Sequence, residues 1–229
     1  MIKILLFFII PVIIGALTSR SAGKNNNKKL ISQSTILTEP ILKSLTTRLA
    51  KSLSLNEIPV RIHEVNSFNG LATSDGKIFI TRGALDDFYK GKVTAEELSS
   101  IIAHELGHVA LGHSKRRMID FSMQNALRII LSLAIGRLIP AIGTYIANFL
   151  TSLLAAKLSR NDEYEADAYA AALLAKSGIG TNAQISLLKK LDTLGKDNGS
   201  IPQWLMSHPK TSDRILAIEK LTKNWAAKS

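Results

Sequence analysis

Cysteine is missing from this 229-residue sequence. The chain therefore forms no disulfide and no iron–sulfur cluster, and any metal site in it lacks thiolate ligands. We also expect no lipid anchor attached through a cysteine. A bound zinc ion would have to be held by imidazole nitrogens and carboxylate oxygens.

Aromatic side chains are scarce, at 6% of residues, although 46% of the residues are hydrophobic. Leucine, isoleucine and alanine must then fill the core, and this composition favours helices. The length suits one domain with a sizeable core.

Acidic residues are outnumbered, with 18 Asp and Glu against 29 Lys and Arg, which gives a formal net charge of +11. The densest cation groups lie at residues 24–29 and 115–117, and neither is interleaved with aromatics as a nucleic-acid platform would be. We therefore expect no nucleic acid partner. Peripheral contact with an anionic membrane surface fits the charge better.

The first residues have the pattern of an export signal. Lys3 precedes an apolar run at residues 4–17, which is shorter than the roughly twenty residues of a membrane span. We therefore predict a signal peptide at residues 1–22 and export to the periplasm or a membrane-associated part of the cell envelope. Positive charges after the run resist translocation, so an uncleaved signal anchor stays open. A polar linker at residues 23–34 and one domain at residues 35–229 should follow.

The spacing of apolar residues predicts a helix and two strands in the first half of the chain. Apolar positions recur at helical spacing between residues 38 and 55, whereas residues 58–65 and 77–81 have strand patterns around a Gly-containing loop. These two strands predict a hairpin or small sheet. Thr94 and Glu97 have the spacing of a capping box, which predicts the start of a helix.

A long apolar region occupies residues 126–156. Its charge-free part, residues 138–156, is long enough to cross a bilayer but contains Pro140 and several polar residues. A core helix, or a helix that lies on the membrane surface, fits this composition better than a true span.

His104, Glu105 and His108 form a His-Glu-x-x-His pattern on the helix that the capping box starts. Residues four apart lie within about 40° of each other on one helical face, so both imidazoles can bind one tetrahedral zinc ion. Glu105 projects beside them, where it can take a proton from the attacking water. The alternative is an amphipathic helix with two surface histidines.

A catalytic zinc also needs a third protein ligand. The metzincin pattern would place a histidine at residue 114, where this chain has Ser114. On a continuing helix His113 would point away from His104, so we expect it to face solvent.

Four carboxylates come close together further along the chain, at Asp162, Glu163, Glu165 and Asp167. Glu163 and Asp167 share a helical face, so one could bind zinc while the other orients a ligand histidine. Geometry alone does not prefer this pair to Asp162 with Glu165.

Three segments occur in order: HELGHVALGH at residues 104–113, RNDEYEAD at 160–167 and SHPKTSDRI at 207–215. Together they resemble the HtpX-like gluzincin zinc metallopeptidases, a superfamily that also includes prenyl-protein proteases and the mitochondrial Oma-type enzymes. The resemblance runs from about residue 35 to the C-terminus. It is strongest to the soluble bacterial envelope group that contains BepA and LoiP.

The resemblance implies a role for each motif residue. Glu163 would be the third zinc ligand, beside His104 and His108, and Asp167 would orient a ligand histidine from behind. His208 would lie near the zinc, where it stabilises the developing oxyanion or occupies the open metal position in a resting form.

The same resemblance makes residues 68–80 an edge strand on which an extended substrate would pair. A plain structural hairpin is the alternative.

We therefore interpret the sequence as a zinc-dependent metalloendopeptidase with one Zn²⁺ per chain, in which Glu105 is the base. The expected fold is α+β and mostly helical, with a small β-sheet or hairpin beside a zincin-type active-site helix pair. By resemblance, its substrates are unfolded or misassembled envelope polypeptides. Two other hypotheses are a chaperone-like envelope binding factor with an occluded or inactive site, and an integral membrane protease spanning at residues 4–17 and 138–156.

Overall fold

The computed structural model describes residues 27–73, 75–139, 142–197, 202–208 and 211–227. The predicted signal segment at residues 1–22 lies outside these ranges. In the described part of the predicted linker, residues 27–32 form a short helix, α1, and a strand begins at Ser34.

The chain divides into two compact units. The larger unit consists of Lys29–Leu111 and Glu163–Ser229, and the smaller unit includes Gly112–Asp162. The helices after α1 are α2 (Pro40–Ser52), α3 (Arg82–Tyr89), α4 (Ala95–Ala110), α5 (His113–Leu138), α6 (Gly143–Lys176), α7 (Asn182–Asp197), α8 (Gln203–Ser207) and α9 (Thr211–Ala226). The strands are β1 (Ser34–Ile36), β2 (Val60–His63), β3 (Gly70–Ala72) and β4 (Ile78–Thr81). The predicted α+β, mostly helical fold class is confirmed.

The four strands found in the described residues form one mixed sheet in the order β1-β2-β4-β3. β2 and β4 are the two strands that the sequence predicted, but they pair in parallel, with Val60 opposite Ile78. Of the predicted hairpin or small sheet, the small sheet is confirmed, whereas a hairpin between these two strands is wrong because parallel neighbours need a crossover. The crossover contains β3, which pairs antiparallel with β4 and lies at the edge of the sheet.

Helix α4 runs through the core of the larger unit. Residues 98–108 are all buried, and α4 packs against α2, α7 and the sheet. β3 approaches α4 so closely that a Cβ on Gly70 would lie 2.1 Å from Cγ2 of Ile101. Glycine at this position therefore lets the edge strand lie directly beside the helix.

The start of α4 is the predicted capping box. The Thr94 hydroxyl accepts a hydrogen bond from the backbone N–H of Glu97, and the Glu97 carboxylate accepts one from the N–H of Thr94. After α4, Gly112 takes a left-handed φ of 66° and α5 begins at His113. Because the chain turns there, His113 does not extend α4. It is buried, at 1% exposure, so the expectation that it faces solvent is wrong.

In the smaller unit, α5 and the first part of α6 contain the apolar region seen in the sequence. α5 ends at Leu138 and α6 begins at Gly143, so residues 138–156 do not form one helix. Among the residues that the structure describes, α5 alone is long and apolar enough to cross a membrane. Its most apolar 18-residue window contains no buried residue.

Candidate active site

Two imidazoles meet on one side of α4. Nε2 of His104 and Nε2 of His108 are 3.1 Å apart, and both side chains are buried. The four-residue spacing puts the rings one helical turn apart on the same face. A capped, buried helix thus directs two nitrogen donors toward one point.

Glu163 brings a carboxylate from α6 to the same point. Its Oε2 lies 3.3 Å from Nε2 of His104, and its Oε1 lies 3.5 Å from Nε2 of His108. Helix α6 comes this close because α4 has a glycine at the contact. A Cβ on Gly107 would lie 3.0 Å from both Cα and the carbonyl oxygen of Ala166.

The structure shows which pair of carboxylates lies beside His104, a choice that the sequence left open. Asp162 accepts hydrogen bonds from two arginines of the smaller unit, and Glu165 is exposed. It is Glu163 and Asp167 that lie beside His104.

His208 approaches from the segment that follows α8. Its Nδ1 lies 2.7 Å from Oε2 of Glu163 and 3.3 Å from Nε2 of His104. Its ring stacks on Trp204, with the ring centroids 4.9 Å apart. The structure thus places His208 with the two histidines of α4.

The geometry of this cluster suits a metal ion. The ligand atoms of His104, His108, Glu163 and His208 all lie within 4.8 Å of one another. In a tetrahedral site with bonds of roughly 2.0–2.1 Å, ligand atoms are about 3.3 Å apart. The distances of 3.1, 3.3 and 3.5 Å among the nitrogens of α4 and the carboxylate of α6 are close to that value. Nitrogen and oxygen donors of this kind fit a divalent ion such as zinc.

Asp167 fixes the ring of His104 from behind. Its Oδ1 lies 3.0 Å from Nδ1 of His104. With the proton on Nδ1, the Nε2 lone pair faces the cluster. Arg214 holds Asp167 in turn, since its Nε and Nη2 donate to the carboxylate at 2.6 and 2.7 Å. Nε2 of Gln184 donates to Oδ1 of Asp167 at 3.1 Å.

Arg214 also contacts the segment that carries His208. Its Nη1 donates to the carbonyl oxygen of His208 at 3.1 Å, and its guanidinium lies 4.8 Å from the ring centroid of Trp204. The buried Arg214 guanidinium thus contacts both Asp167, which orients His104, and the backbone of His208. No sequence pattern indicates a role for Arg214 or Trp204, although Arg214 lies in the third motif.

Glu105 is buried beside the same cluster. Its Oε1 lies 3.4 Å from Nε2 of His208, yet it makes no hydrogen bond in the described part of the chain. A buried polar atom without a partner is unfavourable. This oxygen is therefore available to accept a proton or hydrogen bond from a molecule that enters the site.

The electrostatics of the cluster favour positive charge. Burial raises the pKa of Asp167, but hydrogen bonds from Arg214 outweigh it and lower the pKa to about 2. Burial disfavours the His104 cation, but the carboxylates of Asp167 and Glu163 raise its pKa to about 9. Burial also opposes ionisation of Glu163, while contacts with His104 and His208 hold its pKa well below the usual range. Such an anionic pocket attracts a proton or a metal cation.

Comparison with known proteins identifies related chains. The sequence model described as Peptidase family M48 matches residues 36–222. Metalloprotease YcaL of Escherichia coli (strain K12) is 29% identical over 175 residues, which cover 75% of this chain and 66% of the relative. Metalloprotease LoiP of the same organism is 27% identical over 177 residues, covering 77% and 68%. Protease HtpX of Pseudomonas fluorescens is 28% identical over 194 residues, covering 69% and 62%.

The chain spans about two thirds of the length of these relatives. The region matched by the family contains all three motifs on which the resemblance was based. The resemblance to HtpX-like and LoiP-like metallopeptidases is thus confirmed, and so is the expected enzyme class of metalloprotease. This chain belongs to peptidase family M48.

Proposed function

We propose that the chain is a zinc-dependent metalloendopeptidase that binds one Zn²⁺ through His104, His108 and Glu163. The observation that carries the proposal is the convergence of their ligand atoms at nearly tetrahedral separations. These atoms come from two helices that are distant in the sequence. Burial of two imidazoles and a carboxylate at one point is unfavourable unless a cation compensates them.

A zinc ion bound there would polarise the carbonyl of a peptide bond and make nearby water more acidic. Glu105 takes the proton of the attacking water and later gives it to the leaving amine. Its Oε1, which accepts no hydrogen bond from the described residues, supports this role. His208 donates a hydrogen bond to the oxyanion that develops on the carbonyl. In a resting form His208, whose Nδ1 lies 2.7 Å from Oε2 of Glu163, would instead help to hold the ion.

The proposed substrates are unfolded or misassembled polypeptide segments. β3 pairs with β4 on one side and lies at the sheet edge. Its outer side can pair with an extended peptide through main-chain hydrogen bonds. Because β3 contacts α4, a peptide bound there runs beside the helix that carries His104.

The proposed location is the cell envelope, either the periplasm or a membrane-associated position. In this proposal residues 1–22 direct export, residues 23–34 connect, and residues 35–229 form the peptidase domain. The apolar run at residues 4–17 supports export, and the excess of cations supports peripheral contact with anionic membranes.

Replacing Glu105 by glutamine tests the mechanism, because it keeps the shape of the side chain but removes the base. We expect zinc content to stay the same and casein cleavage to fall by about 10²–10⁴-fold. The control is Glu96→Gln, which changes an exposed glutamate in the first turn of the same helix and should leave cleavage intact. Undiminished cleavage by Glu105→Gln would refute the assigned role.

A second candidate is a chaperone-like binding factor whose site is occluded or inactive. All four residues of the metal-binding cluster are buried, and His208 lies against Glu163. Measuring zinc content and casein cleavage on the same preparation separates the two functions. Zinc without turnover would favour the binding factor.

A further inference from the structure

Helix α5 exposes large apolar side chains along most of its length. The exposed ones are Ile119, Phe121, Met123, Leu127, Ile129, Ile130, Leu133 and Leu138. A helix of this length and hydropathy can be a membrane span, the core helix of a soluble protein or an N-terminal signal. The last two explanations do not apply, because the most apolar window of α5 contains no buried residue and α5 begins at His113. These exposed side chains are therefore not covered by any described part of the chain.

The first part of α6 also exposes large apolar side chains, and these form a stripe. Tyr145, Phe149 and Leu153 are 75%, 63% and 52% exposed and recur every four residues, so they share one helical face. Ala147 and Thr151 are buried on the opposite side of the same turns. The stripe thus points away from the interior of the smaller unit.

The net charge of the smaller unit indicates which kind of partner binds these exposed apolar side chains. The segment Gly112–Asp162 contains seven Lys and Arg but two acidic residues, Asp120 and Asp162, so its formal net charge is 7 − 2 = +5. A second copy of the chain would bring one such cationic surface against another, which is unfavourable. Apolar stripes together with excess cations are typical of helices that bind anionic lipid.

We propose that α5 and the first part of α6 dock on an anionic lipid surface, with their exposed apolar side chains below the headgroups and their cations among the phosphates. The helices lie in the interface plane, because Arg128 is halfway along α5 and would reach the centre of the bilayer if α5 spanned it. The proposal rests on the envelope location proposed above. It assigns the membrane contact of the enzyme to a surface made by these two helices.

Because the chain has no cysteine, a single one can carry a polarity-sensitive fluorophore at any chosen site. The full-length Leu133→Cys and Phe149→Cys variants are labelled with a nitrobenzoxadiazole dye and mixed with vesicles of equal parts phosphatidylglycerol and phosphatidylcholine. The control is Leu216→Cys, since Leu216 on α9 is 64% exposed and Leu133 is 69% exposed. All three variants carry the same N-terminal residues, so any lipid contact made by residues 1–22 is common to them.

We expect a blue shift and several-fold brighter fluorescence at positions 133 and 149, with loss of the signal when nitroxide lipids are included. Position 216 should respond weakly, and vesicles of phosphatidylcholine alone should give a much smaller response. No response at 133 and 149, or an equal response at 216, would overturn the proposal. Equal signals with neutral vesicles would overturn the assignment to anionic lipid.

A response without vesicles that grows with protein concentration would also overturn the proposal, in favour of a second copy of the chain. Cleavage of a soluble unstructured peptide by each labelled variant, measured without vesicles, reports separately on the peptidase function. If the unmodified chain does not cleave the peptide, the proposed peptidase function is contradicted, whereas the vesicle result still stands.

Discussion

Arg214 donates two hydrogen bonds to the carboxylate of Asp167, from Nε at 2.6 Å and from Nη2 at 2.7 Å. Both residues are 1% exposed, so each charge depends mainly on the other for compensation. The planar guanidinium matches a carboxylate in this two-point geometry. Since Asp167 also holds Nδ1 of His104, the orientation of that histidine depends on a residue of α9.

Removing the guanidinium should therefore weaken both the fold and the site. For Arg214→Ala we expect about 3–5 kcal/mol lower stability in urea unfolding, because Asp167 would remain as an unpaired buried charge. Arg214→Lys keeps the charge but not the two-point geometry, and it should recover part of the stability and less of the cleavage rate.

The matched control is Arg82→Ala. Arg82 makes the same kind of two-point contact with Glu64, but on the surface, so its loss should lower stability by at most about 1 kcal/mol. Equal losses of stability in the two alanine variants would show that the buried Arg214–Asp167 pair contributes no more than a surface ion pair.

His208→Ala tests whether this histidine acts on the substrate. We expect kcat to fall about 10²–10³-fold while zinc content is retained, because removing one donor to an oxyanion has an effect of this size. His63→Ala, in β2, should leave the steady-state kinetics of casein cleavage unchanged. A faster His208→Ala enzyme would mean that the histidine blocks the site instead.

Gly107→Ala tests the close contact that brings Glu163 to α4. The added Cβ would meet Cα and the carbonyl oxygen of Ala166 at 3.0 Å, so α4 and α6 must move apart. We expect about 1–3 kcal/mol lower stability and weaker zinc binding in a chelator titration.

Gly136→Ala is the control for this substitution. It also replaces a helical glycine, but its Cβ would meet no atom within 4 Å. Stability should rise by roughly 0.5–1 kcal/mol, because alanine is the better helix former. Similar effects of the two substitutions would contradict the contact between the helices.

The proximity of His104 to His108 is predictable from the local sequence. His104 and His108 belong to one helix, and the capping box at Thr94 marks its start. Helical periodicity is therefore sufficient to predict that their rings lie close together. Glu163 was different, because spacing alone left Asp162 with Glu165 as an alternative. The packing of α6 against Gly107 decides between the two pairs, and helical periodicity does not predict that packing.

Features that depend on tertiary contacts were missed or wrong. Arg214 contacts Asp167 and the His208 carbonyl through the folding of α9, which no local pattern indicates. The strand patterns gave β2 and β4 but not their parallel pairing, since alternation identifies a strand and not its neighbour. The sequence predicts that the helix continues through His113, whereas the structure has a turn at Gly112 that redirects this residue.

Anomalous diffraction at the zinc edge from crystals of the purified protein tests the central claim most directly. We predict one strong peak, about 2.0–2.1 Å from Nε2 of His104 and Nε2 of His108 and within about 2.2 Å of a carboxylate oxygen of Glu163. A peak elsewhere, or a zinc ion that Glu163 does not contact, would contradict the proposed metal site.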